Sequence, residues 1–210
     1  MAEGGDGQHG GHLGAVYDAK APEEVAALYD GWADSYDEEM ARAGYRHPTI
    51  GLALLARHLP AGGGPVLDAG CGTGTLGHWL GILGLGPVTG LDLSEGMLAR
   101  ARGKGGYAAL HRLALGGPLP FADGAFGGVI STGVFTTGHV GAEGLPELVR
   151  VTRKGGALVL TVKTTLWDGS LAAAVAADPG VTIAEMTAPY VSMPGEEGTI
   201  PSLAVVLRRR

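Results

Sequence analysis

Residues 65–74 read "PVLDAGCGTG": a short apolar run, an acid, then glycine at every second position. No other stretch constrains the fold as tightly. The apolar run is strand-like, and the "TLGHWLGILG" that follows is helical, so the glycines fall in a strand-to-helix turn. Gly70, Gly72 and Gly74 remove side chains there, which lets a ligand approach the main chain and permits positive φ. In an open parallel sheet such turns lie at the C-terminal strand edge, where ligands bind.

The rest of the chain alternates in the same way. "PVTGLDL", "GYAALHRL", "FGGVISTGVF" and "ALVLTVK" read as further strands. "SEGMLARAR" reads as a helix with Ser94 as its N-cap and Glu95 in the first turn. "GAEGLPELVRVTRKGG" reads as a helix closing on glycines, and "DGSLAAAVAAD" as one ended by Pro179-Gly180. "VTIAEMTAPYV" and "SLAVVLRR" have no clear helix between them and suit a closing antiparallel pair. Upstream, Val25, Leu28, Tyr29, Trp32 and Tyr36 form one helical stripe, and "PTIGLALLARHL" a second helix that stops before Pro60. The expected architecture is α/β: a doubly wound, mostly parallel, seven-stranded Rossmann-like sheet with an antiparallel closing strand and N-terminal helices. Residues 1–20, rich in glycine and histidine, read as a disordered tail; 21–210 form one domain, a helical cap over 21–60 and the core sheet over 61–210.

Composition narrows the function. With 45% apolar residues the 210-residue chain can bury a core; its 39 glycines point to modest stability. The net charge of −6 argues against nucleic acid or an anionic membrane as the main partner. Cys71 stands alone, so no internal disulfide forms, and no metal-ligand spacing is evident beyond weak binding by His9 and His12 in the tail. No apolar run reaches the length of a membrane span, and the N-terminus lacks the pattern of a signal peptide, which points to the cytoplasm. The oligomeric state stays open.

The glycine pattern is D-x-G-x-G-x-G, not the G-x-G-x-x-G of dinucleotide sites. Asp68 would repel a pyrophosphate and suit a cation. A second acid, Asp92, ends the next strand 22 positions after Gly70, where a carboxylate accepts hydrogen bonds from ribose hydroxyls. An adenosyl ligand with a positive portion and no phosphate satisfies both acids, and S-adenosylmethionine is such a ligand. The alternatives are a tight strand-helix turn with no ligand, and a nicotinamide-dependent oxidoreductase, which the glycine spacing disfavours.

"VLDAGCGTG" and "GLDLSEGML" resemble the first two motifs of the class I S-adenosylmethionine-dependent methyltransferases. "LPFADGAF" and "ELVRVTRKGGALVLTV" resemble their segments around the fourth and fifth strands, and "LYDGWADSYDEEM" the helix before the core. With "KGGY" and "GHV", the chain looks most like the Williams-Beuren syndrome region methyltransferase-like proteins. The resemblance implies that Asp68, Ala69, Gly70, Cys71 and Gly72 surround the cofactor's amino-acid portion. It implies that Asp92 binds the ribose and that Leu93 and Met97 pack on the adenine. Two positions depart from it: Leu113-Ala114-Leu115 has no acid to read the adenine amino group, and Phe126 is followed by Gly127 where many relatives have aspartate.

Methyl transfer from a sulfonium needs an aligned nucleophile and exclusion of water, with no metal. The loop "TGVFTTGHV" follows the fourth strand at the ligand edge, which makes His139 the candidate base, the alternative being a loop or capping role. Tyr36, on a helix placed to fold over the cofactor, is the second candidate catalytic residue, its alternative being plain packing. The loop lacks an N-P-P-Y type of motif, so a small-molecule acceptor is expected. A non-catalytic cofactor-binding module is the competing function.

Overall fold

Seven strands, in the order β3-β2-β1-β4-β5-β7-β6, form one sheet. They are β1 (Val66–Ala69), β2 (Val88–Asp92), β3 (Ala109–Arg112), β4 (Phe126–Phe135), β5 (Thr152–Lys163), β6 (Val181–Met186) and β7 (Ser202–Arg209). β1 to β5 run parallel, and β7 lies antiparallel between β5 and β6. The computed structural model describes residues 11–18, 21–136 and 139–210.

Alternation along the central strands divides the core between two faces. Leu67, Ala69, Val129, Leu158, Leu160, Val205 and Leu207 pack into one cluster, closed by Leu148 and Leu171. Their strand neighbours Val66, Ile130, Val159 and Val206 pack into the other, with Leu54, Leu55 and Leu80. These strands therefore read as continuous apolar runs because both sides are covered.

The helices are α1 (Gly11–Asp18), α2 (Pro22–Trp32), α3 (Tyr36–Ala43), α4 (His47–His58), α5 (Gly77–Ile82), α6 (Glu95–Lys104), α7 (Leu145–Val151), α8 (Thr164–Leu166) and α9 (Ala172–Ala177). The last two are joined by a π turn, Trp167–Leu171. Ser94 caps α6 as expected, its hydroxyl accepting from the Met97 amide at 3.0 Å.

Three sequence expectations change. The region of the expected tail contains α1, whose Val16 is fully buried with Val25, Trp32, Met40 and Met193, and whose His12 sits 3.6 Å from Glu39. A valine anchor outweighs the polar composition around it; residues 1–10, with His9, lie outside the described residues. The stripe from Val25 to Tyr36 is two helices, not one. The turn between them lets Trp32 donate its indole N–H to Glu39 at 2.8 Å. Arg100 on α6 takes up the freed carbonyls of Ala33 and Asp34, at 3.3 and 3.0 Å. The helix expected to run through "TRKGG" stops at Val151, where Thr152 turns its hydroxyl onto the Leu148 carbonyl (2.6 Å) and pairs with Phe126 to start β5.

The segment leading into β4 is held by one side chain. Arg150 of α7 donates to the carbonyls of Leu119 and Phe121 and to Asp123, while Glu147 pairs with it and accepts from the Leu119 amide. The guanidinium holds the Glu147 carboxyl down, at about 2.

Gly127 has a structural reason. Its amide donates to the Pro65 carbonyl at 2.8 Å, and a Cβ there would stand far inside contact distance of the Gly63 carbonyl oxygen. An aspartate has no room against the turn that enters β1. We predict that Gly127→Ala costs about 2–3 kcal/mol, a fall in Tm of roughly 4–12 °C. Gly31→Ala on α2, where a Cβ meets nothing within 4 Å, should be neutral or slightly stabilising. Thermal denaturation of both proteins checks the pair, and equal melting points contradict the assignment.

Candidate active site

The turn after β1 forms the floor of the site. Gly70 and Cys71 both donate their amides to the Leu91 carbonyl, at 2.8 and 2.9 Å, which folds the turn back onto β2. Gly70 has φ +82° and Gly72 has φ +52°, a region open to glycine at little cost. A Cβ on Gly70 would strike Val134 of β4; one on Gly72 would meet no protein atom within 4 Å and would stand in the open cleft above.

Asp92 closes the turn from the other side. Its two oxygens accept from the Gly72 amide at 2.8 Å and the Ser94 amide at 2.9 Å. Burial pushes its carboxyl above the usual range, against the lowering pull of these amides. Asp92 lines the cleft with Leu91, Leu93 and Met97.

Asp68 lies beneath the turn, 1% exposed. Tyr107 donates its hydroxyl to one carboxyl oxygen at 2.7 Å, while the other oxygen is buried with no hydrogen-bond partner. Burial raises this carboxyl to about 7, the Tyr107 bond opposes the rise, and Asp92 adds to it. Tyr107 also accepts from the Gly77 amide at 3.1 Å, joining the acid to the start of α5. Sequence reasoning missed Tyr107. Its only signal is the set of side-chain-free positions that admit its ring: Cβ atoms on Gly77 or Gly90 would collide with it.

The cleft above has a volume of about 210 Å³ and opens to solvent. Gly70, Gly72, Asp92, Leu93 and Met97 line it, as do His139 and Tyr36; Asp68, Ala69 and Cys71 do not. The last three are each under 9% exposed and sit one layer below, so of the turn residues expected around the ligand only the two glycines reach the surface. Burial, then Asp68 and Asp92, push the Cys71 thiol far up, which makes it an inert filler. The segment Leu113-Ala114-Leu115 does line the cleft, with apolar side chains only.

The N-terminal helices make the opposite wall. Asp30 of α2 accepts from the Ser94 hydroxyl at 2.5 Å and the Gly96 amide at 2.8 Å, which fastens α2 to the start of α6. The Ser94 hydroxyl and these amides hold its carboxyl below the ordinary range. Asp37 of α3 accepts from Thr73 in the turn at 2.6 Å and pairs with Lys104 at 2.5 Å. Neither contact was foreseen, because each joins residues more than thirty positions apart. Tyr29 and Tyr36 enter the cleft from this cap, and the Tyr29 hydroxyl is hydrogen-bonded to His139 Nε2 at 2.9 Å.

Beside His139 the cleft continues into a smaller inner chamber. Tyr29, Tyr36, Tyr45, Gly133 and His139 line both spaces; Trp32, His47, Thr161 and Lys163 line the inner one alone. Among the described residues no cluster of His, Cys, Asp or Glu could hold a metal, and no helix is long and apolar enough to cross a membrane.

A mostly parallel sheet, a glycine turn closed by a carboxylate and a helical cap at the strand edge define an α/β protein with a ligand-sized cleft and an adjoining inner chamber. A profile of the methyltransferase domain matches residues 67–160. Human "Methyltransferase-like protein 27" is 38% identical over 143 residues, 65% of this chain and 57% of that protein. A "Malonyl-[acyl-carrier protein] O-methyltransferase" of Erwinia pyrifoliae is 34% identical over 192 residues, 87% of this chain and 66% of that protein. Among solved structures, the "TehB-like SAM-dependent methyltransferase" of Corynebacterium glutamicum superposes with a TM-score of 0.60 at 19% identity, over 88% of this chain and 99% of that one, a likeness of fold. Residues 67–160 are thus a methyltransferase domain, and the chain is similar in sequence and fold to the class I S-adenosylmethionine-dependent methyltransferases. It spans 57% to 66% of the length of the two curated relatives.

The family implies S-adenosylmethionine, and the residues present fit it. Asp68 keeps one buried oxygen that needs a donor, and Gly72 leaves room at the floor where any larger residue would intrude.

The raised Asp68 carboxyl has a consequence for stability. Its folded-state value, about 7, lies above the ordinary 3.8. The native protein therefore holds a proton that the unfolded chain has released, and this group's contribution falls as pH rises from about 4 to 7. Asp68→Asn removes that dependence. We predict that the Tm of the native chain minus that of Asp68→Asn grows as pH drops from 8 to 5. Differential scanning fluorimetry without cofactor checks it; a pH-independent difference contradicts the buried, protonated acid.

Proposed function

We propose that this protein transfers the methyl group of S-adenosylmethionine to a small-molecule acceptor. The observation that carries the proposal is Asp92, fixed by two backbone amides with its carboxylate at the cleft. In this reading Asp92 accepts from the ribose hydroxyls. Gly70 and Gly72 let the amino-acid portion lie against the main chain, and Asp68, one layer below, meets the ammonium through a water at its unpartnered oxygen. Leu93 and Met97 pack on the adenine, beside the apolar Leu113–Leu115 segment. When bound, the cofactor supplies an electrophilic methyl group on a positively charged sulfur.

The chain's own residues then position and deprotonate. His139 stands where the two chambers meet, and the Tyr29 hydroxyl orients its Nε2. An oxygen or nitrogen acceptor in the inner chamber delivers its proton to this imidazole as its nucleophile advances. Tyr36 packs edge-on against Trp32, with ring centroids 4.8 Å apart, which fixes it as a wall between acceptor and solvent. The cap excludes water, which would otherwise compete for the methyl group. The small size of the inner chamber favours a small acceptor over a polymer, in keeping with the acidic net charge.

The competing reading is a protein that binds the cofactor with little turnover, favoured by the absence of a carboxylate along Leu113–Leu115. A missing hydrogen bond to a buried amino group weakens binding by about 1–3 kcal/mol.

Isothermal titration with S-adenosylmethionine should give saturable binding, weakened about tenfold or more in Asp92→Ala. Absence of binding at millimolar cofactor contradicts the proposal. Formation of S-adenosylhomocysteine in a screen of small acceptors separates the two readings. With an active oxygen or nitrogen acceptor, His139→Ala should lower kcat about 10²- to 10³-fold.

A further inference from the structure

One buried cation has no part in the mechanism above. Lys163 ends β5 at the ligand edge of the sheet and is only 6% exposed. Its ammonium donates to the Ile200 carbonyl at 2.9 Å and, at 3.4 Å, to the Ser192 hydroxyl. Both partners are neutral, and an ammonium has three N–H bonds to satisfy. Among the described residues Lys163 forms no ion pair, and no Asp or Glu lines the chamber it faces. A cation held out of water without a counter-charge is costly. Burial accordingly depresses this amine from 10.5 to about 8.

The neighbours supply no anion. His47, 5% exposed, is held by burial and by Lys163 at about 3, so it is neutral at physiological pH. Its Nδ1 is hydrogen-bonded to the Tyr190 hydroxyl at 2.7 Å. Five aromatic side chains, Tyr29, Trp32, Tyr36, Tyr45 and Phe135, form much of the rest of the wall, with Met40 and Met193 beside them. The chamber therefore offers one positive charge, a ring-lined body and, at its mouth, His139.

Resting on the methyltransferase reading, we propose that the acceptor is a small carboxylic acid with an apolar, ring-like body, and that Lys163 is the residue that selects it. The carboxylate takes the remaining N–H of Lys163 as a charge-assisted hydrogen bond and supplies the missing counter-charge. Lys163 lines the inner chamber and not the cofactor cleft, whereas His139 lines both. The acid group thus anchors the far end of the molecule, and its nucleophile meets the methyl group at the junction. This arrangement rejects the neutral amide or ester of the same skeleton, which leaves the ammonium uncompensated.

The test compares benzoate and phenylacetate with benzamide and phenylacetamide, by titration of the protein with and without S-adenosylhomocysteine. At least one acid should bind about tenfold or more tightly than its amide. In Lys163→Met the acid should fall to the affinity of the amide, while S-adenosylhomocysteine binds as before; Lys163→Arg should keep the preference. If these variants do not fold, labelled lysine reports on the native protein. The chain has four lysines, and one Cε resonance should shift with the acid and not with the amide. Equal affinity for acid and amide, no binding of either at about 10 mM, a preference that survives Lys163→Met, or four unmoved lysine signals each overturn the proposal. Binding of S-adenosylhomocysteine without acid preference sinks this inference alone; its failure to bind sinks the cofactor reading instead.

Discussion

The site depends on the two hydrogen bonds that Asp92 accepts. One fixes the Gly72 amide and therefore the course of the glycine turn; the other fixes the Ser94 amide and therefore the start of α6. A carboxylate at the end of β2 thus sets both the floor of the cleft and the helix that borders it. Ser94 extends the linkage, because its hydroxyl caps α6 and also donates to Asp30 of the cap. Strand, turn, helix and cap are positioned by one connected set of polar contacts, all at the sheet edge where the parallel strands end and the chain diverges.

Above this rigid floor the cap is joined by weaker means. Asp30 is exposed, and the Asp37–Lys104 pair has partners 46% and 37% accessible. Exposed ion pairs contribute about 1 kcal/mol or less each. The apolar cluster of Val16, Val25, Trp32 and Met40 holds the cap together internally, so it can move as a unit. Stable scaffold and loosely fastened cover are what a cofactor that must enter and leave requires.

Much of this was legible in the sequence, for local reasons. Short continuous apolar runs separated by helical stretches pointed to a seven-stranded α/β sheet, and Ser94 announced its helix because capping needs only neighbouring residues. Asp92 could be placed at the cleft because a strand's end and a fixed spacing determine it. The hidden features are those made by distant partners. The packing of α1 through Val16, the break between α2 and α3, and Tyr107 beneath the turn all depend on such contacts. Gly127 looked like a lost functional acid and is a point of close approach to Gly63. Among the turn residues, alternation puts Gly70 and Gly72 at the cleft and Ala69 and Cys71 below it, a distinction a motif read as a block does not make. Lys163 did carry a signal, a lone charge closing an apolar strand at the edge where ligands sit.

Asp68 carries a further consequence. A carboxyl that titrates at about 7 is close to half-ionised in neutral solution. Any cation that settles against it draws out the charged form, so uptake of a positively charged ligand at pH 7 expels on the order of half a proton per molecule. The heat measured in a calorimeter must then include the heat of whichever buffer receives that proton. Plotted against buffer ionisation enthalpy, the binding enthalpy becomes a direct count of the hydrogen ions this buried acid surrenders.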